Sequence, residues 1–152
     1  MKKLSTLILV VSFAFGSFAQ GMVRDGFVEI LGRKVDAPEV QQFFTSYEIQ
    51  HTNGAKYSSV KNGIDIDTKQ DSVVTVNVYK SSPVYGSYTG KLSKGLAFGL
   101  TSAQVIAKIG KPTLAYTNSG YSEYIYPGYT MTCWYEQGIL SQLSFSPKEN
   151  KK

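Results

Sequence analysis

The sequence predicts an α+β fold of two tandem units, each a helix followed by a three-stranded antiparallel sheet (αβββ). The first observation is a weak internal repeat at an offset of about 65 residues, which places residues 36–39 on residues 101–104. The second is an alternation of apolar and polar residues that has the same phase in both copies and is typical of half-buried strands. We therefore expect the helices to pack on one face of the sheets.

The first unit is predicted to span residues 20–80. Asp36 and Glu39 have the spacing of a capping box, in which a short polar side chain caps the helix and an acid three residues later reaches back. The alternation of Ile64 and Ile66 with aspartates indicates a strand with one buried face. We expect strands near 56–61, 63–68 and 72–80.

The second unit is predicted to span residues 96–146. Its helix begins after Thr101, which forms a capping box with Gln104. Gly110 and Pro112 end the helix, because glycine readily takes the left-handed conformation and proline lacks the amide hydrogen that continuation needs. We expect strands near 121–126, 129–136 and 139–146.

A linker loop at 81–95 joins the two units, and a basic tail follows at 147–152. The linker is rich in Gly, Ser and Tyr, and loops of this length in small domains are often functional. Tyr85 and Tyr88 could therefore contact a partner. They could equally well pack the loop against the body of the protein.

The first 19 residues have the pattern of a signal peptide. Lys2 and Lys3 precede an apolar run at 4–18, and residues 17–19 (SFA) form a small-x-small cleavage site. The run is too short for a membrane anchor. We expect cleavage near Ala19–Gln20 and an exported protein, periplasmic or secreted, without a stable membrane anchor.

Composition argues against a nucleic-acid partner and against an internal disulfide. The formal net charge is +5, but the excess of positive charge comes from the two ends of the chain, which are typical of a leader and a solvated tail: Lys2, Lys3, Lys148, Lys151 and Lys152. Cys133 is the single cysteine, so no disulfide can form within the chain. The fold must be held together by its apolar core.

No catalytic or metal-binding pattern is present in the sequence. His51 stands alone beside a turn, without a second metal ligand or a charge-relay partner. Asp65 and Asp67 lack the glycine and the distal glutamate of a calcium loop. Cys133 has the strand phase of a buried residue, between Met131 and Tyr135. We therefore expect neither an enzyme nor a cofactor.

The outward face of the second sheet is the predicted binding surface. Taking Ile125 as inward, in step with Val60, places Tyr124 and Tyr126 outward. Aromatic side chains among small polar groups are typical of protein-binding surfaces. The alternative is that Trp134 is covered by another element and belongs to a second core. The predicted partner-binding residues are Tyr124, Tyr126, Trp134, Thr132, Tyr85, Tyr88 and Tyr79.

One segment of the chain resembles a known family. The residues GLT at 99–101, Val105, GKP at 110–112 and ILSQL at 139–143 resemble the SmpA/OmlA (BamE-like) family of small outer-membrane assembly proteins. The β-lactamase-inhibitor proteins share that fold, and the resemblance covers roughly residues 95–146. It implies tandem helix-plus-sheet units that grip a partner protein. A similar run occurs in small proteins thought to neutralise toxins from rival bacteria.

The favoured function is an exported protein-binding module of the inhibitor or immunity type. Such a protein would block a partner protein, which could be a toxin, an enzyme or an envelope component, through its aromatic sheet face. Two alternatives remain. One is a periplasmic outer-membrane assembly factor of the SmpA/OmlA type, and the other is a small-molecule or glycan-binding module.

Overall fold

A computed structural model describes residues 26–80, 82–116 and 120–148. The predicted signal peptide and the last four residues of the tail lie outside the described residues. The helices are α1 (Gly26–Glu29), α2 (Pro38–Ser46) and α3 (Ser102–Ile109), with a 3₁₀ turn at Ser93–Gly95. The strands are β1 (Gln50–Asn53), β2 (Lys56–Ser59), β3 (Ile64–Lys69), β4 (Ser72–Tyr79), β5 (Leu114–Tyr116), β6 (Tyr121–Tyr126), β7 (Tyr129–Glu136) and β8 (Ile139–Pro147).

A single antiparallel sheet of eight strands replaces the two predicted αβββ units, so the predicted fold class is wrong. The strand order is β1-β2-β3-β4-β8-β7-β6-β5. β4 and β8, each expected to end a separate sheet, pair with each other and place Val78 opposite Leu143. Alternation along a strand specifies which face is buried, but it does not specify the neighbouring strand.

The six predicted strands lie within about two residues of β2, β3, β4, β6, β7 and β8. The edge strands β1 and β5 were not predicted. β1 is the sequence QHTN with all four residues exposed, and β5 has only three residues. Neither strand is long enough, or alternating enough, to give a periodic signal.

The hydrophobic core lies between the helices and one face of the sheet, here called the inward face. In α1, the Phe27 ring stacks on Phe145 of β8 with centroids 5.6 Å apart. In α2, Phe44 packs 5.0 Å from Tyr57 of β2, and Val105 is the buried residue of α3. Fully buried residues of β3, β4, β7 and β8 complete the core: Ile64, Ile66, Val76, Val78, Met131, Cys133, Leu140, Leu143 and Phe145.

The two longer helices begin in different ways. In α3 the predicted capping box is confirmed, because the Thr101 amide donates to Gln104 Oε1 at 2.9 Å and the Gln104 amide donates to Thr101 Oγ1 at 3.3 Å. In α2 the predicted box is wrong. The N-cap is Ala37, no side chain caps it, and Pro38 occupies the first turn. Proline favours that position because its fixed φ already suits a helix.

The connection between β4 and α3 passes around the end of the sheet, from the opposite face, here called the outward face, to the inward face. The Gly86 amide donates to Val60 O at 2.7 Å, and the Tyr88 amide donates to Tyr79 O at 2.9 Å. Gly63 has φ of +62°, and a Cβ there would overlap the carbonyl oxygen of Gly86. Only glycine allows this close approach. Tyr85 therefore lies over the outward face and Tyr88 lies in the core.

Candidate protein-binding face

Two rows of side chains cross the outward face of the sheet from one strand to the next. They alternate with the inward residues, because successive side chains on a strand point to opposite faces. The first row runs through Tyr121, Trp134, Gln142 and Tyr79. The second runs through Glu123, Thr132, Ser144, Asn77, Asp65 and Ser58.

Trp134 is the main aromatic group of this face. Its side chain is 38% exposed. The indole Nε1 donates a hydrogen bond to Ser144 Oγ at 3.1 Å, and the Tyr121 ring lies against it at 4.7 Å between centroids. The indole is therefore held in one orientation while part of it remains open to solvent.

A network of hydrogen-bonded polar side chains covers the outward face between Trp134 and Tyr79. The Ser144 hydroxyl donates to Asn77 Oδ1 at 2.7 Å. Gln142 Nε2 donates to Ser144 Oγ at 2.9 Å and to Asn77 Oδ1 at 3.3 Å. Because Asn77 is buried, its bonds hold the neighbouring side chains in defined positions.

Tyr79 and Tyr85 form a second aromatic pair on the same face. Their rings are parallel, with 1° between planes and 4.8 Å between centroids. The Tyr85 hydroxyl donates to Oδ1 of the buried Asp65 at 3.1 Å. Burial first, and then the charge of Asp65, raises the pKa of both phenols. They stay protonated at neutral pH, so Tyr85 remains a donor to the carboxylate.

Four of the seven predicted binding residues lie on the outward face or over it. Thr132 and Trp134 lie on β7, Tyr79 lies on β4, and Tyr85 covers Tyr79. Trp134 is not covered by a second core in the described part of the chain, where the helices pack on the inward face. The two aromatic pairs, Trp134–Tyr121 and Tyr79–Tyr85, are separated by Gln142.

The predicted outward orientation of Tyr124 is wrong. Tyr124 is 3% exposed and pairs with Met131 on the inward face, whereas Ile125 is among the exposed apolar residues. The error comes from the reference residue. Val60 was taken as a buried strand residue, but it follows β2, in the turn, and is 51% exposed. An error of one residue in phase turns every side chain of a strand to the other face.

Tyr126 and Tyr88 also lie on the inward side. Tyr126 shares the phase of Tyr124, stacks on Tyr129 at 5.0 Å, and has the Lys94 ammonium 4.2 Å above its ring. Tyr88 is buried against Phe27 with centroids 5.5 Å apart. Neither residue is part of the outward face. Tyr88 instead packs the linker against the hydrophobic core. Sequence reasoning missed Tyr121 and Ile125, which alternation from a correctly phased β6 would have found.

The residues considered for chemistry occupy structural positions. His51 Nε2 lies 2.9 Å from Gly54 O, within the turn after β1, and its ring packs on Tyr57. Cys133 is fully buried on the inward face. Among the described residues, no group of three or more His, Cys, Asp or Glu side chains is placed to hold a metal ion.

Burial raises the pKa of the Cys133 thiol to about 12. In the unfolded chain the thiol ionises near its ordinary pKa of about 8.5. Below about pH 8.5 the thiol is protonated in both states, and we expect the free energy of unfolding to be unaffected by its ionisation. Between about pH 8.5 and 12 only the unfolded state ionises, so we expect the free energy of unfolding to fall progressively as the pH rises. Because burial also raises the pKa of several tyrosines, urea titrations of the wild type and of Cys133→Ala between pH 7 and 11 would isolate the loss that belongs to the thiol. A thiol reagent at pH 8 should label Cys133 rapidly in urea and very slowly without it; equal rates would contradict the buried position.

A scan against protein-family models, a search of curated proteins and a search of solved structures each find no match for the chain. The resemblance to the SmpA/OmlA family therefore stays a prediction. None of the helices in the described ranges is long and apolar enough to cross a membrane.

Proposed function

We propose that the protein is an exported protein-binding module of the inhibitor or immunity type, which covers part of a partner protein with the outward face of its sheet. One observation carries this proposal: Trp134 is partly exposed on an open sheet face and is held there by Ser144 and Tyr121. Tryptophan and tyrosine supply a large share of the binding energy in protein interfaces.

The rigidity of the face supports a binding role. Binding usually costs conformational entropy when side chains become ordered at an interface. Here the indole of Trp134 and the ring of Tyr85 already have fixed hydrogen-bond partners, Ser144 and Asp65. A partner would therefore meet aromatic groups that lose little freedom on contact.

The hydrogen bonds of the face favour a protein partner over a small molecule. The amide of Gln142 and the hydroxyl of Ser144 both bond to Asn77. Because these groups are hydrogen-bonded to one another, they offer few free donors to a sugar or another small polar ligand. The half-buried Thr132 and the exposed Ile125, on the same face, provide contact area with polar and apolar character.

Photocrosslinking tests the proposal. A benzophenone amino acid would be placed at Thr132 on the outward face and, as a control, at Gln42, an exposed position on α2. Envelope and culture-supernatant fractions of the producing cells would supply the partner. We expect the position-132 variant to form a covalent adduct with one protein and the position-42 variant to form none.

The inhibitor assignment needs a second measurement. If the crosslinked protein is an enzyme or a toxin, its activity should fall to a few per cent when the wild-type chain is added in equimolar amount. An adduct formed equally well from both positions would argue against the outward face as the interface. An adduct without loss of partner activity would support protein binding and reject inhibition.

A further inference from the structure

A separate cleft lies on the inward side of the molecule, away from the outward face. Its volume is about 690 Å³, and it opens between the end of α2 and the segment 88–94. Three aromatic residues, Phe27, Tyr47 and Tyr88, contact one another along it at 5.5 to 6.1 Å between centroids. Pockets for small molecules have volumes of about 300–1,000 Å³ and mainly apolar walls. The cleft falls within that range.

A second cleft of about 490 Å³ adjoins the first. Tyr88, Gly90, Lys91 and Leu92 line both, so this segment forms the wall between them. Gly90 allows the chain to fold closely over Tyr88, since a Cβ at position 90 would overlap the tyrosine ring. The wall is anchored by Tyr88 and Leu92, which are both buried in the core.

The charges around the two clefts are all positive. Lys91 lines both clefts, Lys94 lines the first and Lys80 lines the second. No Asp or Glu occurs among the described residues that line either cleft. Within the described ranges, the ion pairs of the protein involve Arg33, Lys56 and Lys61 and none of these three lysines. The local potential therefore favours a negative ligand.

We propose that this cleft binds a small organic anion with an apolar body, such as a medium-chain carboxylate. The half-buried Tyr47 and the accessible edges of the more deeply buried Phe27 and Tyr88 contact the apolar body, and Lys91 at the shared wall attracts the anionic group. Asn62, whose Nδ2 donates to Tyr47 O at 2.8 Å, holds one side of the cleft in place. This site is independent of the outward face and of the partner protein proposed above.

The test is a titration of the ¹⁵N-labelled protein with octanoate, followed by NMR. We expect saturable shifts of the Tyr47, Gly90 and Lys91 amides. Acetate, which has the charge without the chain, should cause no saturable shift. 1-Octanol, which has the chain without the charge, should bind at least about fivefold more weakly, and added salt should weaken octanoate alone.

Two matched variants locate the charge. Lys91→Met keeps the length of the side chain and removes its charge, and we expect it to weaken octanoate binding about three- to fivefold while leaving 1-octanol unchanged. Lys108→Met makes the same change on α3, outside both clefts, and should bind octanoate like the wild type. Urea midpoints would show that both variants are folded. No saturable shift at millimolar octanoate, equal affinities for octanoate and 1-octanol, or shifts confined to the outward face would each overturn the proposal.

Discussion

The Phe145→Ala variant is expected to lose about 3–5 kcal/mol of unfolding free energy, the usual cost of removing a buried aromatic ring. Phe145 has no exposed surface and lies near the centre of the sheet, where β8 pairs with both β4 and β7. Its ring also stacks on Phe27 of α1. The substitution would leave a cavity between the sheet and the helices. Urea unfolding followed by circular dichroism would measure the change.

A neighbouring substitution provides the control. Ser146 is the next residue on β8 and has the opposite phase, facing Thr130 on the outward side. Ser146→Ala should change the unfolding free energy by less than about 0.5 kcal/mol. If Phe145→Ala also cost less than about 1 kcal/mol, the packing of α1 against β8 would be wrong. A loss near the upper end of the range would consume a large part of the stability of a typical domain.

The sequence was informative about individual strands because their signals are local. β6 and β7 were predicted with the bounds that the structure shows, because both contain several tyrosines or threonines and a turn follows each, at Pro127–Gly128 and Gln137–Gly138. The helix stop at Gly110 was also predictable, because φ is +88° there and glycine tolerates that conformation. These features depend on residues close together in the chain.

The arrangement of the strands was not predictable in the same way. The pairing of β4 with β8 joins residues far apart in the chain, such as Val76 and Phe145, through main-chain hydrogen bonds that any sequence can make. Nothing in either strand identifies the other as its neighbour. The strands of the two predicted units therefore form one sheet, although each strand lies within about two residues of its predicted position.

Irregularities of the strands limited the prediction of the candidate site. A register shift follows Trp134 and leaves Ser141 without a residue opposite it on β7, so Leu140 and Leu143 are both buried although they are three residues apart. Strict alternation cannot describe a strand with such a bulge. On β6 the strand is regular, and the error came only from using Val60 as its reference. Predicting the faces requires the pairing partners, which the sequence alone did not supply.

The Trp134→Ala variant is expected to bind the proposed partner protein at least about thirtyfold more weakly, which corresponds to about 2 kcal/mol. The indole is the largest exposed aromatic group on the outward face. Its removal takes away one ring of the aromatic pair that it forms with Tyr121, and with it the largest contact area on this part of the face. Calorimetric titration with the protein recovered by photocrosslinking would measure the affinity.

The free energy of unfolding of the variants distinguishes a binding role of Trp134 from a structural one. Trp134→Ala removes the hydrogen bond to Ser144 and the ring contact with Tyr121 from a partly exposed side chain, so the unfolding free energy should fall by about 1–2 kcal/mol. Tyr124→Ala removes a ring from the core and should cost several kcal/mol instead. Gln42→Ala, on the exposed side of α2, should change neither the affinity for the partner nor the free energy of unfolding. If Trp134→Ala bound the partner as tightly as Gln42→Ala, the outward face would not be the interface. If it unfolded like Tyr124→Ala, Trp134 would be a structural residue.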